Sequence, residues 1–138
     1  GHIAYHFSDQ DVAFVGDAVF ALGCGRVFEG TMEMMWNSLT KLKALPPETQ
    51  LYCAHEYTKA NARFAVTVDP QNKALTDYAL WIDERLAEGL PTVPTRLDKE
   101  LATNPFLRAD DPVLQAAMGH PGNTVETFAE IRGRKDRF

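Results

Sequence analysis

The sequence predicts an α/β fold in two parts: strands around one crossover helix in residues 1–58, then mostly helix in residues 59–138. Three observations predict it. Two short β-rich runs, "IAYHF" and "VAFVG", flank the turn-forming "SDQD". A helical stripe separates them from a third apolar run, "LYCA". From Thr58 onward the apolar spacing is helical, interrupted by a proline-rich connection.

The runs at 3–7 and 12–16 form a hairpin on this reading, because β-branched and aromatic residues bound a polar turn. Asp17 ends the second run, and a glycine-punctuated loop carrying one cation, Arg26, follows. Apolar flanks make such a carboxylate costly to bury unless a metal or a strong donor compensates its charge. Equally, Asp17 can cap a turn through its own backbone amides. The stretch alone leaves both readings open.

Thr31 is placed to cap a helix with Met32, Met35, Trp36, Leu39 and Leu42 on one face, and Pro46 and Pro47 stop it. "LYCA" (51–54) is then a buried strand, completing a strand–helix–strand crossover. Leu75, Tyr78, Ala79, Ile82 and Leu86 fall on one helical stripe that Gly89 ends. "GLPTVPTRL" is expected to be extended, since each proline pushes its predecessor out of the helical region. Asp111 before Pro112 is a cap followed by a first-turn proline. Asn123 with Glu126 resembles a capping box for a last helix whose inner face holds Val125, Phe128 and Ile131. About three strands are expected, and a sheet apolar at successive positions needs both faces covered. The strands are therefore expected to be the back half of a larger sheet structure, its neighbours lying upstream.

Composition bounds the function. At 138 residues, 45% hydrophobic and 24% charged, the chain is an ordinary globular one. A net charge of −5 argues against nucleic-acid binding through overall charge. No apolar run reaches the length of a membrane span, so no membrane partner is expected. Cys24 and Cys53 form neither a disulfide framework nor a zinc-ribbon spacing, which points to a reducing, cytoplasmic setting.

The joint pattern is more specific. "GHIAYHF", "VGDAVFALGCGRVFEGT", "LYCAHEYTKAN", "PTVPTRL…NPFLR" and "RGRKDRF" occur in one order with compatible gaps. Together they resemble glyoxalase II, the hydroxyacylglutathione hydrolases of the metallo-β-lactamase superfamily, over essentially the whole chain. The resemblance covers only the later portion of the family's chain. It implies the C-terminal half of an αββα sandwich (1–58) plus a helical glutathione-binding domain (59–138), with the N-terminal half of the fold as the missing partner.

By this resemblance, Asp17 bridges two divalent metal ions (zinc, with iron or manganese as alternatives) and His55 of "HEYT" ligates one of them. Neutral imidazole suits all three metals. The family's H-x-H-x-D-H motif and the ligand histidine of its "GHT" turn are not among these residues. His2, His6 and His120 match no ligand position. Substrate contacts carry over to Arg26, Phe28, Tyr57, Arg132 and Lys135. Arg26 stands where lysine is frequent and adds a bidentate fork for carboxylate. Phe28 stands where many members have tyrosine, which removes one phenolic hydrogen bond.

The implied reaction is metal-assisted hydrolysis of a glutathione thioester such as S-lactoylglutathione, yielding glutathione and a 2-hydroxy acid. Its place is in methylglyoxal detoxification. With most metal ligands absent, this polypeptide alone is expected to be inactive. Two alternatives stand beside this reading. One is another superfamily enzyme, such as a persulfide dioxygenase or a lactamase-like hydrolase, against which "NPFLR" and "RKDRF" argue. The other is a non-catalytic module that binds glutathione, another thiol ligand or a partner chain.

Overall fold

The computed structural model describes residues 4–25, 30–53 and 56–138. Strand β1 (Tyr5–Phe7) turns through one 3-10 turn, Ser8–Gln10, into β2 (Val12–Gly16), making the expected antiparallel hairpin. Two short strands follow, β3 (Val19–Phe20) and β4 (Gly23–Cys24), paired only with each other. Helix α1 (Met32–Lys43) begins where the Thr31 side chain accepts the Met34 N–H at 3.2 Å. Strand β5 (Gln50–Cys53) returns parallel to β2, so the predicted crossover is present.

The remainder is mostly helical: α2 (Thr58–Val68), α3 (Lys73–Ala87), α4 (Leu97–Thr103), α5 (Pro112–Ala117) and α6 (Thr124–Arg137). Asp111 caps α5 and Asn123 caps α6, each through its side-chain oxygen. The expected count of about three strands falls short in two places. The glycine-punctuated stretch after Asp17 holds the β3–β4 hairpin. The proline-rich connection ends in strand β6 (Thr95–Arg96), which pairs antiparallel with β5, and α4 starts at once.

The main sheet has the order β1-β2-β5-β6. Alternation splits its residues between two faces. Ala13, Val15 and Leu51 face the helices and join one core with Trp36, Leu39, Phe106, Phe128 and Ile131. Trp36 and Phe128 bring α1 against α6, their ring centroids 5.9 Å apart. The opposite face carries Tyr5, Phe7, Phe14 and Tyr52, all exposed. Phe14 stacks on Tyr52 at 5.1 Å and meets the Phe7 edge at 5.9 Å. Among the described residues nothing covers this aromatic face, as expected of strands that need a second layer.

A second core joins the two parts of the chain. Leu22, at the tip of the β3–β4 hairpin, packs with Ala62, Ala65, Leu75, Tyr78 and Ile82 of α2 and α3. Its φ of 58° lies in the left-handed region, uncommon for a leucine. Gly89 ends α3 with φ of 72°, where the missing Cβ removes the penalty of that conformation.

Candidate functional site

The site is built from two parallel strand ends. Gly16 lies opposite Cys53, so the chain leaves β2 and β5 at the same edge of the sheet. Asp17 follows Gly16 in a turn closed by the Ala18 N–H donating to the Val15 carbonyl at 3.0 Å, and it is half-buried. His55, two residues beyond Cys53, lies outside the described residues, as do Arg26 and Phe28. Among the described residues, no three histidine, cysteine or acidic side chains are grouped to hold a metal.

Tyr57 is the residue before α2, and its ring sits edge-on to Phe20 of β3 at 5.1 Å. More than half of it is exposed. Lys135 lies on α6 with Nζ 5.9 Å from the rings of Phe64 and Phe138, so the C-terminal end of α6 touches α2. Arg132, one turn earlier, is buried. Its Nη1 donates to the carbonyls of Cys24 (2.9 Å) and Gly25 (3.4 Å), and Nε and Nη2 donate to Asp136. The guanidinium also lies 5.0 Å from the Phe106 ring. Arg132 therefore ties the last helix to the residue directly before Arg26.

Sequence reasoning passed over the polar groups that support these segments. Glu100, fully buried on α4, accepts the Leu22 N–H and the Asn104 amide through Oε1 and the Thr95 hydroxyl through Oε2. Burial pushes its pKa up, and the three donors pull against that shift. Asn104 also donates to the carbonyls of Gly23 (3.0 Å) and Phe20 (3.3 Å), while Asn61 of α2 donates to that of Ala21 (3.1 Å). Glu56, in the "HEYT" stretch, accepts both the Thr92 N–H and its hydroxyl at 2.5 Å. In sequence these acids and amides look like solvated polar residues. The signal that could have marked Glu100 is its position between Leu97 and Leu101 in a segment with apolar anchors on both sides.

Neither thiol is poised for chemistry. Burial raises Cys24 to about 12 despite the neighbouring Arg132, and burial and then Glu100 raise Cys53 to about 12. A cleft of about 540 Å³ opens between α2 and α3, lined by Lys59, Arg63, Val66 and Asp83 among others, and includes none of the candidate residues.

A parallel crossover of β2 and β5, continued by a mostly helical segment, agrees with the family comparisons. The metallo-beta-lactamase superfamily model matches residues 1–55, the part that holds β1, β2, α1 and β5. The model described as hydroxyacylglutathione hydrolase C-terminus matches residues 56–138, and the chain belongs to that family. It is 71% identical over 138 residues to a hydroxyacylglutathione hydrolase of Hyphomonas neptunium and 61% identical to one of Erythrobacter litoralis. A third, from Maricaulis maris, is 56% identical over 139 residues. All of this chain is covered in each case, against 54%, 55% and 54% of the relatives. The chain spans about half the length of the curated relatives it matches.

Proposed function

We propose that this chain is the C-terminal portion of a hydroxyacylglutathione hydrolase, which hydrolyses S-(2-hydroxyacyl)glutathione such as S-lactoylglutathione. The observation that carries the reading is the parallel register of β2 and β5, which sends Asp17 and the "HEYT" segment out from neighbouring strand ends. That edge suits a metal site, since a carboxylate can span two cations and an imidazole can complete one of them. Asp17 and His55 are the residues here that would hold metal, and two ligands leave most of the coordination to be supplied by an N-terminal half. When bound, the metals supply an activated water and stabilise the charge that develops on the thioester oxygen.

The chain's own residues bind and orient the glutathione portion. Tyr57, its ring held against Phe20, supplies a hydroxyl for the peptide portion. Lys135 offers a point charge to a glutathione carboxylate. Arg132 fixes the residue before Arg26, and a substrate carboxylate can take the place of Asp136 on its Nε–Nη2 edge. Arg26 and Phe28 are further substrate contacts on the family resemblance, at positions outside the described residues. The exposed Phe14–Tyr52 face is the surface on which the N-terminal half seats, which gives the sheet its second layer.

The test joins this chain to the preceding half of the Hyphomonas neptunium relative and follows S-lactoylglutathione spectrophotometrically. Metal-dependent hydrolysis by the joined protein, and none by the 138 residues alone, is expected. A folded, metal-loaded joined protein without thioester hydrolysis would overturn the reading.

A further inference from the structure

We propose that Glu100, Asn104 and Asn61 are positioning residues for substrate binding, acting through the β3–β4 hairpin; the proposal rests on the hydrolase reading above. The hairpin has two residues in each strand, too few to hold its own shape. Most of the turn's polar partners come from the helical part, with a backbone hydrogen bond from Ala21 to Cys53 of β5 beside them. The carbonyls of Phe20 and Gly23 go to Asn104, the carbonyl of Ala21 to Asn61, and the Leu22 N–H to Glu100. Phe20 of this hairpin meets the ring of Tyr57, a proposed substrate contact, edge-on at 5.1 Å. Whatever sets the hairpin's height and tilt therefore sets where Phe20 holds Tyr57.

A buried carboxylate is a poor choice if stability alone is at stake, because desolvation opposes its charge. Its value here is directional. One carboxylate oriented by three donors admits a single placement of the Leu22 amide, and a leucine in the left-handed region has no local preference that would keep it there. Gly23 completes the fit: a Cβ at that position would fall 2.6 Å from Asn61 Nδ2 and push the amide off Ala21.

The test uses the complete joined hydrolase and steady-state kinetics with a glutathione thioester. Asn61→Ala and Gly23→Ala should each raise KM about tenfold with kcat within about threefold, the split for lost positioning of a binding loop. Glu100→Gln should restrain the rise, since its amide oxygen still accepts from Leu22, whereas Glu100→Leu should exceed it. Ile82→Val, which loosens the same core without touching the hairpin's polar groups, serves as a control for general destabilisation and should leave KM unchanged. If Glu100→Leu fails to fold, the Asn61 and Gly23 variants decide the matter. Unchanged KM in both, or an equal rise in the Ile82→Val control, would overturn the proposal while leaving the hydrolase reading intact. An inactive parent would sink the hydrolase reading, and this one with it.

Discussion

Arg132 Nη1 donates to the carbonyl oxygen of Cys24 at 2.9 Å, joining positions 108 residues apart. The last helix is thus fastened to the segment that leads into the Arg26 loop, and the same guanidinium holds Asp136 on its other edge. Arg132→Ala should lower stability by roughly 1–3 kcal/mol, since buried carbonyls lose a charged donor. Arg132→Lys should recover only part, because an ammonium cannot fork between two partners. Chemical denaturation of the three proteins checks this; equal stability of the alanine variant and the parent would contradict it.

Lys135 should behave differently. It is only half-buried, and the rings beside it do not need its charge. In the complete hydrolase, Lys135→Ala should weaken glutathione-thioester binding by roughly 1–3 kcal/mol, with the change in KM rather than kcat. A fall in kcat at constant KM would instead place Lys135 in the chemistry.

The pH dependence of Glu100 has a definite sign. Its pKa is raised by burial above the ordinary 4.5, so the folded chain holds this proton more tightly than the unfolded one. Below about 4.5 the group carries no penalty; as pH rises through the window up to the folded pKa, stability is lost, and the loss is complete above it. Relative to Glu100→Gln, the parent should therefore lose stability from acid toward neutral pH. Denaturation midpoints at a series of pH values test this, and a parallel pair of curves would refute it.

Both thiols should resist labelling. With Cys24 and Cys53 pushed up to about 12, the thiolate that attacks a disulfide reagent is scarce at neutral pH. Reaction with an aromatic disulfide should be slow in the folded chain and prompt in denaturant. Fast labelling of one thiol under native conditions would show that its burial is broken in solution.

The Phe14–Tyr52 face should make the isolated chain self-associate, since a contiguous exposed aromatic patch next to an open edge strand is a pairing surface. Phe14→Lys combined with Tyr52→Lys should shift it toward monomer in sedimentation velocity. A parent that is already monomeric at high concentration would count against this.

What the sequence disclosed was what local chemistry decides. The Thr31, Asp111 and Asn123 caps and the Leu75–Tyr78–Ile82 stripe are where the spacing placed them, because each rests on neighbours within a turn or two. The β3–β4 hairpin and β6 escaped because two-residue strands carry no period, and the groups that hold them, Glu100, Asn104 and Asn61 for the hairpin and β5 for β6, are distant in the chain. Leu22 gives no hint of a left-handed conformation that only Glu100, 78 residues away, accounts for. The place of Asp17 just past the end of β2 was legible from its motif. That Arg132 would bind main-chain carbonyls was not, since an arginine in "RGRKDR" reads the same whether it faces solvent or the interior.

Strand β6 pairs with β5, and Leu22 is seated among α2 and α3, so the helical segment and the sheet segment each own a piece of the other. The border between the two matched families, at residues 55 and 56, is thus no border in the architecture. A graft of residues 56–138 onto another superfamily sheet would arrive with an edge strand seeking a host and a socket shaped for one particular hairpin. Acquiring this helical segment therefore demands co-tailoring of the recipient, and shuffling whole cassettes at that border is a poor route to a new thioesterase.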